Sequence, residues 1–258
     1  MTIQFTAASL PNKTGALVPD AEGYFITPVG ALNTYNSSGE YYVAQGARDL
    51  FTASSIFMRR IESRRLKGEC GHPKFLPSMT VKQYIERMMQ IWEPEVDTFF
   101  QAITLDEDFG KKNPQLNNKD LVGVIARLTP SGPKSPGLRE SLMRPGEDVC
   151  YSVRALTRDW YANGRNNRCI EKIFTYDHVT EPGVASAAKF NSAALESLKD
   201  VIVKEDMFEQ IIDSAFMDIA SEDSKELARE CLDLFKSPVD RQFKRSFVEL
   251  KVPTVLSW

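Results

Sequence analysis

Four apolar runs in the middle of the chain set what it can fold into: residues 96–105, 121–128, 149–156 and 169–175 each read as a strand. The strongest, Leu121-Val122-Gly123-Val124-Ile125-Ala126-Arg127-Leu128, is short, rich in β-branched residues and bounded by polar or proline-containing loops. Shorter strand-like runs, 3–7, 23–29 and 40–44, precede it, split by Pro, Asn and Gly clusters. Helical patterns bracket these runs. From Asp49 or Thr52, a stripe of Leu50, Ile56, Phe57, Ile61 and Leu66 predicts a helix that Gly68 ends. Thr80 with Gln83 has the spacing of a capping box, and Val81, Tyr84, Ile85, Met88 and Trp92 give the buried face before Pro94. Residues 130–137 read as a loop and 138–143 as a short helix. Beyond Gly183 the pattern is helical: a stripe of Leu195, Leu198, Val201 and Ile202, then helices over 207–219 and 226–235. The expectation is an α+β fold with a mainly β core surrounded by helices. Residues 1–190 would carry the activity, and 191–258 would form a helical C-terminal region packed on them as one compact domain.

With 258 residues the chain can bury a full core, and its 42% apolar and 26% charged residues are ordinary for a soluble globular protein. A net charge of -3 gives no excess of basic residues to neutralise phosphates, so nucleic acid is not an expected partner. The basic run Arg59, Arg60, Arg64, Arg65 and Lys67 reads as a solvated helix face. No stretch approaches the roughly 18 consecutive apolar residues of a membrane span. Met1-Thr2-Ile3-Gln4-Phe5 lacks a basic n-region and a signal-like apolar core, which favours the cytosol. There the four cysteines, none in a CxxC pair, would stay reduced.

Histidine is scarce: only His72 and His178 occur. Imidazole is the side chain whose ordinary pKa exchanges a proton near neutral pH, so any acid–base task has few places to sit. His72 lies in Gly68-Glu69-Cys70-Gly71-His72-Pro73, His178 in Tyr176-Asp177-His178-Val179, and between them Cys150-Tyr151-Ser152-Val153-Arg154 carries a strand hydroxyl. If these segments meet, Ser152 is a nucleophile, His72 its base, and Asp177 or His178 the third member. Neighbouring strand residues face opposite ways, so Asp177 and His178 cannot both aim at Ser152. No GxSxG elbow occurs, so the α/β-hydrolase fold has no support in this sequence. A metal-binding protein is the rival reading, because Cys70, His72, Cys150, Cys169 and His178 flank the same motifs; their spacing matches no zinc knuckle.

All three motifs resemble those of the tailed-phage prohead proteases, serine peptidases of capsid maturation distantly related to herpesvirus assemblins. Leu66-Lys67-Gly68-Glu69-Cys70-Gly71-His72-Pro73 is similar to the myovirus pattern Leu-Gly-Glu-x-x-His-Pro with one insertion. Cys150-Tyr151-Ser152-Val153-Arg154-Ala155-Leu156 resembles Gly-Val-Ser-Ser-Arg-Gly-Leu at the serine, arginine and leucine, with both glycines replaced. Tyr176-Asp177-His178-Val179-Thr180-Glu181-Pro182-Gly183-Val184-Ala185 fits Val-Asp-x-Val-x-x-Pro-x-x-Ala. Residues 122–128 resemble the family's Gly-Arg-Ala-Arg-Val strand, and the helix at 80–92 looks inserted.

The resemblance implies an assemblin-like β-barrel core and a serine endopeptidase using Ser152, His72 and Asp177, with the backbone N–H of Val153 and groups near Arg154 as oxyanion or substrate contacts. It implies no metal and no cofactor. Its partners would be phage scaffold and capsid precursors, cut after glutamate inside the prohead assembling in the host cytoplasm, with a homo-oligomer as the working form. Ala194-Leu195-Glu196, Ser224-Lys225-Glu226 and Ala228-Arg229-Glu230 would be candidate self-cleavage points. A non-catalytic head protein that kept the fold is the remaining alternative.

Overall fold

A computed structural model describes residues 16–189, 222 and 225–230. Its strands form two four-stranded sheets. One runs β1 (Phe25–Leu32), β6 (Val122–Pro130), β5 (Val96–Asp106), β4 (Lys67–Glu69); the other runs β2 (Thr34–Tyr35), β3 (Tyr41–Tyr42), β8 (Arg165–Val179), β7 (Cys150–Ala162). All pairings within them are antiparallel except β3 with β8. Between the sheets lies a core of Phe25, Leu32, Leu66, Phe100, Ile103, Leu128, Tyr151 and Tyr176, all 1% exposed or less.

The strands do not close into the expected barrel. Barrel closure needs edge strands that pair along their length. The long edge strands β1 and β7 belong to different sheets and form no ladder with each other, and the other edges, β4 with three residues and β2 with two, are too short to close the far side. Among the described residues one isolated parallel bridge, Cys70 to His178, ties the end of β4 to β8. The candidate site sits at this corner between the sheets.

The hairpin β7–β8 is longer than its apolar runs suggest. Its turn is Asn163-Gly164, both in the left-handed region (φ 56° and 75°). A two-residue type I′ turn requires that, and its twist matches the strands it joins. The turn sets the register from Ala162 opposite Arg165 to Cys150 opposite Val179, with shifts at Arg154/Ala155 and Leu156/Thr157.

Helices accompany the sheets within residues 16–189: α1 (Ile56–Glu62), α2 (Val81–Met89), α3 (Phe109–Lys112) and α4 (Ser135–Met143). The Thr80–Gln83 capping box forms in full at the start of α2. The basic run is not only a solvated face: Arg60 donates to the Phe174 carbonyl at 2.6 Å and Arg59 pairs with Glu226 at 2.7 Å. After β8 the chain runs back along β7, with Tyr151 N–H donating to Ala187 O and Lys189 N–H to Val149 O. The Lys189 ammonium anchors this return by donating to the carbonyls of Ser141, Arg144 and Glu147 at the end of α4.

The strand expected at 3–7 and most of the helical C-terminal region lie outside the described residues. Residues 225–230 are helical, with Leu227 and Ala228 buried. No described helix is long and apolar enough to cross a membrane.

Candidate active site

The register of the β7–β8 hairpin places Ser152 directly opposite Asp177. Opposed residues of an antiparallel pair project from the same face, about 5 Å apart at their Cβ atoms. Tyr151 and His178 form the next opposed pair and project from the other face. His72 arrives from the segment after β4. Gly71, at φ +83°, makes the turn that frees His72 from the line of Cys70 and Glu69, a conformation that favours glycine. His72 Nδ1 lies 2.8 Å from Asp177 Oδ2, and its side chain is 5% exposed. Its other nitrogen, Nε2, is buried and has no hydrogen-bond partner among the described residues, so Ser152 and His72 are not directly hydrogen-bonded here. Ser152 itself is half-buried on an edge strand. Across from it, a Cβ added to Gly183 would stand 3.0 Å from Ser152 Oγ, so the chain passes the hydroxyl closely.

Asp177 is fully buried and ionised. Burial pushes its carboxyl up, but the Arg154 guanidinium and the hydrogen bond from His72 outweigh that and hold it at about 2. Arg154 Nε donates to Oδ2 at 2.8 Å and Nη2 to Oδ1 at 2.7 Å, a two-point fork. Glu69 N–H donates to Oδ1 at 3.1 Å. Behind this pair the charges alternate. The buried Glu69 carboxylate lies 3.4 Å from Arg154 and is paired with Arg87, and it accepts Trp92 N–H at 2.6 Å. Arg154 Nη1 also donates to the Gln90 carbonyl at 2.8 Å, just past the end of α2. The helix that looked inserted therefore supplies Arg87 and that carbonyl to the site.

Arg154 is thus not where the resemblance suggested. It is 1% exposed and its donors are engaged by Asp177, Glu69 and the end of α2, which leaves no geometric support for an oxyanion or substrate contact. Val153 differs. Strand N–H groups alternate sides, and that of Tyr151 points off the free edge of β7 to Ala187. Two residues on, Val153 N–H faces the same edge, beside Ser152.

His178 does not join Ser152. Its Nδ1 lies 2.7 Å from Asp97 Oδ2 on the opposite face. The five-residue metal cage does not assemble either. Cys150 packs with Val179 and Ala188, while Cys169 lies against the Gln45 carbonyl at 3.6 Å. Sequence reasoning missed Glu69 and Arg87, although Glu69 sits inside the quoted histidine motif. It also missed Gly183, whose signal was the Pro-Gly pair.

A hydroxyl opposite a carboxylate that carries an imidazole can support acyl transfer. The comparisons point to a peptidase. The "Capsid maturation protease" of Pseudomonas phage phiKZ is 32% identical over 196 residues, which cover 74% of this chain and 70% of that protein. No solved structure matches. The model of the Peptidase S80 family matches residues 3–236, nearly the whole length, and the chain belongs to that family.

Proposed function

We propose that this chain is a serine endopeptidase of phage capsid maturation, with Ser152 as nucleophile, His72 as general base and Asp177 as the group that orients it. One observation carries the reading. The 2.8 Å contact of His72 with a buried carboxylate stands opposite a strand serine. The capsid-maturation role is carried over from the phiKZ relative, a capsid maturation protease, and from family membership.

The chemistry follows from these groups. Ionised Asp177 accepts Nδ1–H, so the neutral imidazole keeps Nε2 as a proton acceptor. A serine hydroxyl is a poor nucleophile until such a base takes its proton. When substrate binds, Ser152 Oγ closes onto Nε2, attacks the scissile carbonyl and passes its proton to His72, which delivers it to the leaving amine. Val153 N–H, on the open edge of β7, is the donor for the developing oxyanion. Arg154 keeps Asp177 ionised inside the protein and fixes its orientation.

The substrates are scaffold and capsid precursors, cut after glutamate inside the assembling head. Self-cleavage is part of this reading. Of its candidate points, Glu226 and Glu230 stand in the helical stretch 225–230, paired with Arg59 and Lys172. Cutting there requires that stretch to unwind first. Glu196 lies outside the described residues.

The test is to incubate the purified protein with precursor capsid and scaffold proteins and map the new termini by mass spectrometry. Cleavage after glutamate that vanishes in Ser152→Ala supports the reading. Undiminished cleavage by Ser152→Ala overturns it, and no cleavage by the wild type in assembling heads favours the non-catalytic alternative.

A further inference from the structure

On the other face of the same sheet corner lies a second histidine–carboxylate pair, and it faces a thiol. The Cys70 sulfur, the Asp97 carboxylate and the His178 imidazole offer atoms that all lie within 4.8 Å of one another. Asp97 is fully buried, and its second oxygen accepts Thr98 Oγ1–H at 2.7 Å. His178 is largely covered, packed 6.0 Å from the Tyr151 ring. Cys70 is exposed, and its backbone is pinned by the bridge to His178 and by its N–H donating to Glu95 O at 2.8 Å. The order from solvent inward is thiol, imidazole, carboxylate.

We propose that Cys70 is a reactive thiol site, activated by His178 and Asp97, that takes small-molecule disulfides and soft electrophiles. It is separate from the Ser152 centre, and it stands or falls without the peptidase reading. An imidazolium beside a cysteine favours the thiolate, the form that attacks. Burial lowers the basicity of His178, but the Asp97 hydrogen bond and the neighbouring Cys70 outweigh this and raise its pKa to about 9. In the step itself, the Cys70 sulfur attacks one sulfur of the disulfide. A Cys70–sulfur bond forms, the original disulfide bond breaks, and the other half leaves as a thiolate. That thiolate takes the proton that His178 received from the Cys70 thiol. Cysteine is oxidised to the mixed disulfide and half of the reagent is reduced.

A bound divalent ion is the competing use of the same atoms. The 2.7 Å separation of His178 Nδ1 and Asp97 Oδ2 speaks against it. Two ligands on one tetrahedral zinc, each about 2.0–2.1 Å from it, stand roughly 3.3 Å apart. The short contact holds a proton.

The test uses the full chain with oxidised glutathione and, separately, iodoacetamide at pH 6.5, with peptide mapping of every cysteine. Native Cys70 is expected to react at least about tenfold faster than the same residue in the urea-unfolded chain, as a thiol beside an imidazolium should. His178→Gln and Asp97→Asn should remove most of that excess in protein that remains folded by circular dichroism. If His178→Gln fails to fold, the native-to-unfolded ratio of the wild type decides alone. Equal or slower native reaction overturns the proposal. So does an unchanged Cys70 rate in a folded variant, or one equivalent of zinc in the purified protein that Cys70→Ser loses.

Discussion

His72 reaches across 105 positions of sequence to place Nδ1 2.8 Å from Asp177 Oδ2, and that carboxylate is gripped from its far side by Arg154. Asp177 is therefore not a free base. Its charge is fixed and its orientation is set by four donor contacts, from His72, from two nitrogens of Arg154 and from the Glu69 backbone.

Asp177→Asn should hurt twice. The amide cannot hold His72 in the required tautomer, which lowers kcat by about 10⁴. It also leaves the buried Arg154 charge without its main counter-ion, a loss of about 3–5 kcal/mol in stability. Peptide hydrolysis and urea unfolding of the same preparation separate the two effects.

Arg154→Lys keeps the charge but not the fork, so it separates orientation from electrostatics. The expected result is a fall of about tenfold or more in kcat with KM little changed, since substrate does not touch this side chain. An oxyanion or substrate role for Arg154 would instead show in KM as well.

Gly183→Ala would put a methyl group against Ser152 Oγ, tighter than ordinary contact. The hydroxyl must rotate away, and a misplacement of that size should cost about tenfold or more in kcat/KM. The thermal midpoint should hardly move, because the glycine there has no positive φ to strain.

Much of this corner was legible in the sequence, and the parts that were not share a cause. Alternation along β8 already separated Asp177 from His178, and the opposed pairs Ser152–Asp177 and Tyr151–His178 follow that parity. The capping box fixed the start of α2 because its signal is local. The length of the β7–β8 hairpin was also locally encoded, in Asn163-Gly164, but residues 157–168 are too polar to read as strand by apolar pattern alone. The fork from Arg154 to Asp177 was not legible because strand parity gives a residue's face and not the distance a long side chain travels. Glu69, Arg87 and Asp97 gain their roles only from contacts between distant segments, for which no spacing in the chain is a signal. The barrel stays open because the long edges β1 and β7 form no ladder with each other and the edges β4 and β2 are too short to close the far side, which no local pattern in the chain announces.

The two buried pairs set opposite pH limits on stability. Asp177 has a folded pKa of about 2 against an ordinary 3.8, so its contribution is complete above 3.8 and is lost as pH falls through 2. His178 has a folded pKa of about 9 against 6.5, so its contribution is complete below 6.5 and is lost as pH rises through 9. Urea midpoints should therefore fall between pH 6.5 and 9, and His178→Gln should flatten that alkaline slope.

The most direct measurement of Ser152 activation by His72 is labelling of the full chain with a fluorophosphonate, followed by peptide mapping. One adduct is expected, on Ser152, abolished by His72→Gln and by Ser152→Ala in folded protein. An adduct on another residue, or labelling of Ser152 that persists at the wild-type rate without His72, would contradict that activation.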